Sequence, residues 1–105
     1  MIGDRKRYIL FEIISDKEVG VNSVEGAISK AFSKSFGELT GTKVSLIKDL
    51  YRDNMGLLVV NHKNVQKTKL MLALIKEIDN KRVIFTARRV FGTLRKVKGI
   101  FKEVI

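Results

Sequence analysis

The residues of this sequence best suited to chemistry are cations, and their spacing suits binding of phosphate. Between Lys81 and Lys102 lie eight basic residues, Lys81, Arg82, Arg88, Arg89, Arg95, Lys96, Lys98 and Lys102, with no acid among them. Gly92 and Thr93 interrupt that run. A glycine there lets an anion approach free backbone N–H groups closely, and Arg95 and Lys96 would follow in the first turn of a helix. Cations at a helix N-terminus face the positive end of the peptide dipoles, which is unfavourable unless an anion lies between them. The pattern predicts a phosphate-binding corner made by Arg88, Arg89, Gly92, Thr93, Arg95, Lys96 and Lys98. Arg5, Lys6 and Arg7 form a second basic cluster. It is expected to belong to a flexible tail over residues 1–6 that contact with phosphate would order.

Groups for covalent or metal chemistry are scarce. There is no Cys, so disulfides and thiolate metal sites are excluded. His62 is the single histidine, and it follows an apolar strand-like segment, where a structural or interface role is expected. Without a second His or a thiol, neither a transition-metal site nor a thiol triad has its ligands. Asp49 and Asp53 are near neighbours, as are Asp16 and Glu18, but both pairs sit in charged turn or edge contexts that suit a surface. No glycine-rich phosphate loop with an arginine follows the first strand, as it would in an acylphosphatase-type enzyme; residues 15–22 hold acids instead. The sequence therefore predicts no catalytic residue, no metal site and no bound cofactor.

The body that must carry these cations is small. A chain of 105 residues has room for one domain with one modest core. Its 45% hydrophobic and 30% charged composition belongs to an ordered domain. Lys and Arg number 21 against 11 Asp and Glu, a formal charge of +10. Such an excess repels itself and implies an acidic partner, nucleic acid before any other. No apolar run approaches the roughly 20 residues of a membrane-spanning helix. The charged N-terminus runs into a strand rather than a signal-peptide core, so a cytoplasmic protein is expected. There is no Pro, no repeat and no low-complexity tract.

Periodicity supplies the elements. Residues 7–15 (RYILFEIIS) are β-branched and aromatic, with Ile9, Phe11 and Ile13 on one parity and Tyr8, Leu10 and Ile14 on the other. A strand apolar on both faces belongs at the centre of a sheet. A helix comes next, with Asn22 and Glu25 spaced as a capping box and Gly37 as its stop. Val24, Ala27, Ile28, Ala31, Phe32 and Phe36 make its apolar stripe, and Lys30 and Lys34 lie off it. Residues 43–51 are expected as an edge strand, Asp53-Asn54 as a turn, and residues 55–61 as a second strand apolar on both faces. Asn64 begins a helix running to about Ile78, with Val65, Leu72 and Ile75 inward and Leu70, Met71 and Leu74 widening the stripe. Asp79-Asn80 turns into a strand over residues 82–90, with Val83, Phe85 and Ala87 on one face and Ile84, Thr86 and Arg88 on the other. Thr93 opens a short terminal helix with Leu94, Val97, Phe101 and Val104 on one side.

This order is β-α-β-β-α-β plus a C-terminal helix, an α+β sandwich of the ferredoxin-like (RRM-like) kind. Its two helices cover one sheet face, leaving the other to the terminal helix, a partner protein or RNA bases. RNA-recognition domains stack bases on aromatics of the first and third strands. Here the segment 55–61 has no aromatic, and Tyr8 and Phe11 have opposite parity. Base stacking on the sheet is therefore not expected, and the apolar open face is read as a protein-binding surface or as core beneath the terminal helix.

The chain resembles ribonuclease P protein component 2 of archaea, the counterpart of a small eukaryotic subunit shared by ribonucleases P and MRP. The likeness runs from Arg7 to Lys98. It is carried by Arg7-Tyr8-Ile9 with Phe11-Glu12-Ile13, by Ala73-Leu74-Ile75 with Glu77-Ile78, by Arg82-Val83-Ile84-Phe85, and by Gly92-Thr93-Leu94-Arg95-Lys96-Val97-Lys98. Two departures stand out: Phe91 replaces the serine common before the Gly-Thr pair, and residues 55–61 lack the arginines of some relatives. The resemblance implies a non-catalytic protein in a ribonucleoprotein that removes the 5′ leader from precursor tRNA. RNA and Mg²⁺ would form the catalyst. The implied partners are ribonuclease P RNA, precursor tRNA within the complex, and the barrel-like component 3. A homodimer is a further option, and a membrane is not expected.

Two other classes compete. A protein-interaction module with an incidental basic face would bind a partner protein tightly, with no RNA affinity above that of a charge-matched control. A small-molecule-sensing or phosphatase domain of the same topology would need a polar pocket at residues 15–22 and turnover without RNA. The sequence supplies no nucleophile for it.

Overall fold

The computed structural model describes residues 5–36 and 44–92. The elements are β1 (Lys6–Ile14), α1 (Val21–Phe36), β2 (Ser45–Leu46), β3 (Met55–Asn61), α2 (Val65–Leu74), β4 (Glu77–Ile78), β5 (Lys81–Arg82) and β6 (Ile84–Phe91). One antiparallel sheet has the order β2-β3-β1-β6, and β4 with β5 makes a separate two-stranded ribbon. Without the ribbon the order is β-α-β-β-α-β, with β1 and β3 interior, as their two-sided apolar pattern predicts. The expected terminal helix from Thr93 and the stop at Gly37 lie outside the described residues.

The main core lies between the sheet and the helices. Ile9, Phe11 and Ile13 of β1, Leu58 and Val60 of β3 and Phe85 of β6 pack with Val24 and Ile28 of α1 and Leu72 of α2. Phe11 and Phe85 stack obliquely, ring centroids 5.6 Å apart. Gly56 faces Phe11 across the β1–β3 ladder. A Cβ there would meet the Phe11 ring at 2.8 Å and the Tyr51 ring at 2.9 Å, so only glycine fits between them. The opposite face carries a smaller cluster of Leu10, Leu57 and Phe91, against which Tyr8, Ile47, Leu50 and Met55 pack.

Turn chemistry agrees with the sequence. Asp53 and Asn54, then Asp79 and Asn80, take positive φ, the backbone of tight hairpin turns that Asn and Asp tolerate. Asn54 also clamps the loop after β1. Its Oδ1 accepts from the Val19 N–H at 2.7 Å, and its backbone carbonyl accepts from the Ile13 N–H at 2.7 Å. The Tyr51 hydroxyl donates to the Val19 carbonyl at 2.7 Å. Burial, reinforced by the nearby Glu18 charge, pushes the Tyr51 phenol up from 10.0 to about 12.

Several sequence expectations are corrected. The Gly20 carbonyl accepts from the Val24 N–H at 3.1 Å, so α1 starts at Val21 and Asn22 lies inside its first turn instead of capping it. The edge strand over 43–51 shrinks to Ser45–Leu46 followed by a 3-10 turn at Lys48–Leu50, and Lys48 reaches Glu25 at 2.9 Å. Helix α2 ends at Leu74, because Glu77 and Ile78 pair with Arg82 and Lys81. Asn64 occupies its N-cap position without a side-chain cap; Asn61 accepts from the Lys63 N–H instead. Buried Thr68 donates to the Asn64 carbonyl and points inward with Met71 and Leu72, which leaves Leu70 and Leu74 exposed. The strand expected over 82–90 is interrupted at Val83, whose N–H turns to the Lys76 carbonyl.

Candidate nucleic-acid interface

Antiparallel pairing brings the start of β1 beside the ends of both neighbours. Tyr8 pairs with Phe91 of β6, and Lys6 pairs with Asn61 of β3. One residue beyond, the Arg7 guanidinium reaches Gly92, where a Cβ would lie 4.0 Å from Arg7 Nη1. The Arg5 carbonyl accepts from the His62 N–H at 2.8 Å. The expected flexible tail is thus corrected at Arg5 and Lys6, which are tied into the sheet end by backbone pairing. Arg5, Lys6, Arg7, Lys63 and Gly92 share this end, and Arg5, Lys6 and Lys63 are exposed. The N-terminal basic cluster meets Lys63 and Gly92 here because β1 lies between β3 and β6.

Lys63 carries no signal of its own in the sequence, where it looks like an ordinary residue after a strand. His62 beside it has a buried Nδ1 without a hydrogen-bond partner. Among the described residues no group of three or more His, Asp or Glu is placed to hold a metal ion.

Further along β6 the sheet contains an irregularity. Leu10 pairs with Arg89 but Phe11 pairs with Ala87, which leaves Arg88 as an extra residue in β6. Such a bulge advances the strand by one residue and reverses the facing of the positions beyond it. Phe85 accordingly lies in the helix-side core, while Phe91, of the same parity, lies in the opposite cluster. Arg88 and Arg89, which strict alternation would send to opposite faces, both engage residues of the face away from the helices. Arg88 Nη1 lies 3.4 Å from Glu12 Oε1, and the Arg89 guanidinium carbon sits 5.5 Å from the Phe91 ring centroid.

The remaining candidates divide. Lys81 and Arg82 lie on the β4–β5 ribbon, at the far end of β6 from Gly92, so the uninterrupted basic run of the sequence is not one patch in space. Thr93, Arg95, Lys96 and Lys98, the heart of the expected phosphate corner, lie outside the described residues.

Fold and site together define a class: a small ferredoxin-like domain with a group of cations, Arg5, Lys6, Arg7 and Lys63, at one end of the sheet, an arrangement suited to a polyanion backbone. Comparison with known proteins gives the family. The sequence matches the model of the Rpp14/Pop5 family over residues 7–102, and the chain belongs to that family. It is similar to ribonuclease P protein component 2 of Pyrococcus horikoshii, 34% identical over 101 residues covering 93% of this chain and 83% of the relative. The same-named protein of Methanocaldococcus jannaschii is 34% identical over 95 residues, 90% of this chain and 71% of that one. That of Sulfurisphaera tokodaii is 31% identical over 99 residues, 90% and 77%. Among solved structures, a chain in the cryo-EM structure of yeast ribonuclease MRP matches with a TM-score of 0.70. The match covers 96% of this chain and 92% of that one at 13% identity, which shows a shared fold.

Proposed function

We infer that this chain works as a protein subunit of ribonuclease P, binding and supporting the catalytic RNA as it removes the 5′ leader from precursor tRNA. Beside the family membership, the observation that carries this reading is the meeting of Arg5, Lys6, Arg7 and Lys63 with Gly92 at one sheet end. Cations placed between crowded RNA helices lower their mutual repulsion and release counterions. We place Thr93, Arg95, Lys96 and Lys98, which follow Gly92 in sequence, and Arg88 and Arg89 of β6 among the RNA contacts as well. Bond cleavage belongs to the RNA with hydrated Mg²⁺, and the protein's own side chains take no part in it.

The exposed apolar residues support a protein partner, for which component 3 of the same enzyme is our candidate, with a second copy of this chain as the alternative. Ile14 and Ile84 are register partners yet 54% and 61% exposed. Leu70 and Leu74, one turn apart on α2, are also exposed. Among the described residues no helix is long and apolar enough to cross a membrane. We place the chain in the cytoplasm with its RNA.

Reconstitution tests the reading. The chain, mixed with ribonuclease P RNA with and without component 3, is expected to raise precursor-tRNA cleavage at limiting Mg²⁺; no gain at any ratio overturns it. Arg5→Ala with Arg7→Ala is expected to weaken RNA binding and to lower its salt slope by about one unit for each phosphate no longer neutralised.

A further inference from the structure

We propose that Arg89, backed by Phe91 and flanked by Tyr8, stacks on an unpaired nucleobase of the bound RNA. This rests on the RNA-binding reading above and adds to it a contact that takes a base instead of a phosphate.

Regular alternation of the strands places too few aromatics together for stacking. The bulge at Arg88 changes the count, because it moves Phe91 onto the face of Tyr8, and the two are direct partners across β1 and β6. Phe91 is 7% exposed and forms a floor with Leu10 and Leu57, while Tyr8 packs half-buried at its side. Arg89 lies over the ring at 5.5 Å with its side chain exposed. A guanidinium carbon 5.5 Å from a ring centroid, on an exposed side chain, leaves guanidinium surface open to solvent, and guanidinium planes stack on bases.

The neighbouring arginine makes the contrast. Arg88 points to the Glu12 carboxylate at 3.4 Å, whereas Arg89 makes no ion pair among the described residues. A phosphate contact needs only charge, which a lysine supplies. A flat cation pre-positioned on a ring loses little freedom when a second flat group joins it.

Arg89→Lys keeps the charge and removes the plane. The probe is a short single-stranded oligoribonucleotide carrying 2-aminopurine, and its partner is the same oligonucleotide with an abasic site at that position. Wild-type protein is expected to quench the 2-aminopurine, and Arg89→Lys to bind roughly tenfold or more weakly, at an unchanged salt slope. On the abasic oligonucleotide the two proteins should bind alike. Phe91→Leu keeps an apolar floor without a ring and should lose quenching in the same way. Equal binding by wild type and Arg89→Lys overturns the proposal, as does a deficit that persists on the abasic probe. A salt slope that falls by one in Arg89→Ala, with Arg89→Lys normal, makes Arg89 a phosphate contact and also overturns it. These outcomes are separable from failure of the RNA-binding reading, in which wild type itself binds ribonuclease P RNA no better than a charge-matched control.

Discussion

The two faces of this sheet are built from the same strands and obey different rules. Toward the helices, alternation is regular: Ile9, Phe11, Ile13, Leu58, Val60 and Phe85 are all buried there and meet α1 and α2. On the other side, among the described residues, the buried set is Leu10, Leu57 and Phe91, and around it lie Glu12, Arg88, Arg89 and the exposed pair Ile14 and Ile84. The first face removes the larger apolar area from water and so dominates stability. The second tolerates charge and a bulge, which frees it to meet a partner. Apolar packing and surface charge are thus separated by the pleat of the strand, one residue apart.

The contrast is open to measurement, beginning where the effect is largest. Phe11→Ala should destabilise the fold by about 3–5 kcal/mol in urea denaturation. Truncation of Leu10 in the smaller cluster should cost less. Equal costs would mean that the two faces share the load. Next is Gly56→Ala, whose new methyl has nowhere to go between Phe11 and Tyr51; overpacking of this kind costs about 1–3 kcal/mol. A variant as stable as wild type would show that the two rings give way.

Tyr51→Phe should cost about 1 kcal/mol near neutral pH by removing the hydrogen bond to the Val19 carbonyl. The alkaline limb sharpens this. Folding raises the Tyr51 pKa from 10.0 to about 12, so the folded state holds the proton more tightly than the unfolded chain does. The resulting stabilisation is complete below pH 10 and is lost as pH rises to about 12. The stability advantage of wild type over Tyr51→Phe should therefore shrink and then reverse as pH rises through that window, and parallel curves would refute the assignment. The smallest effect is expected on the second face. A double-mutant cycle of Glu12→Gln and Arg88→Met should give a coupling of about 0.2–1 kcal/mol, since both side chains remain solvated. A coupling several times larger would make that face structural as well.

Much of the architecture was legible in the residues, for a local reason. The strand over 7–15 and that over 55–61 are apolar at both parities, which requires cover on both sides and hence a central place. Asp53-Asn54 and Asp79-Asn80 favour positive φ within two residues. The apolar stripe of α1 repeats at its own period. Less legible were the ends of elements. Asn22 offered a capping side chain, but the backbone at Gly20 began the helix earlier. Leu70 and Leu74 fit an inward stripe by spacing, but Thr68 satisfied its hydroxyl on the Asn64 carbonyl and took the inward position.

For the interface, the sequence by itself determined the inventory: a surplus of ten positive charges, clustered at Arg5–Arg7 and again around Arg88, Arg89 and Gly92. Only the tertiary structure decided how they group. It joined the first cluster to Gly92 and added Lys63, it sent Lys81 and Arg82 to the ribbon, and it turned Arg89 and Phe91 onto the face of Tyr8. The physical reason is register. Alternation and helical period are set by neighbours a few residues apart, whereas which residues of β1, β3 and β6 stand side by side, and where one strand carries an extra residue, depends on pairing between segments that meet only when the sheet forms.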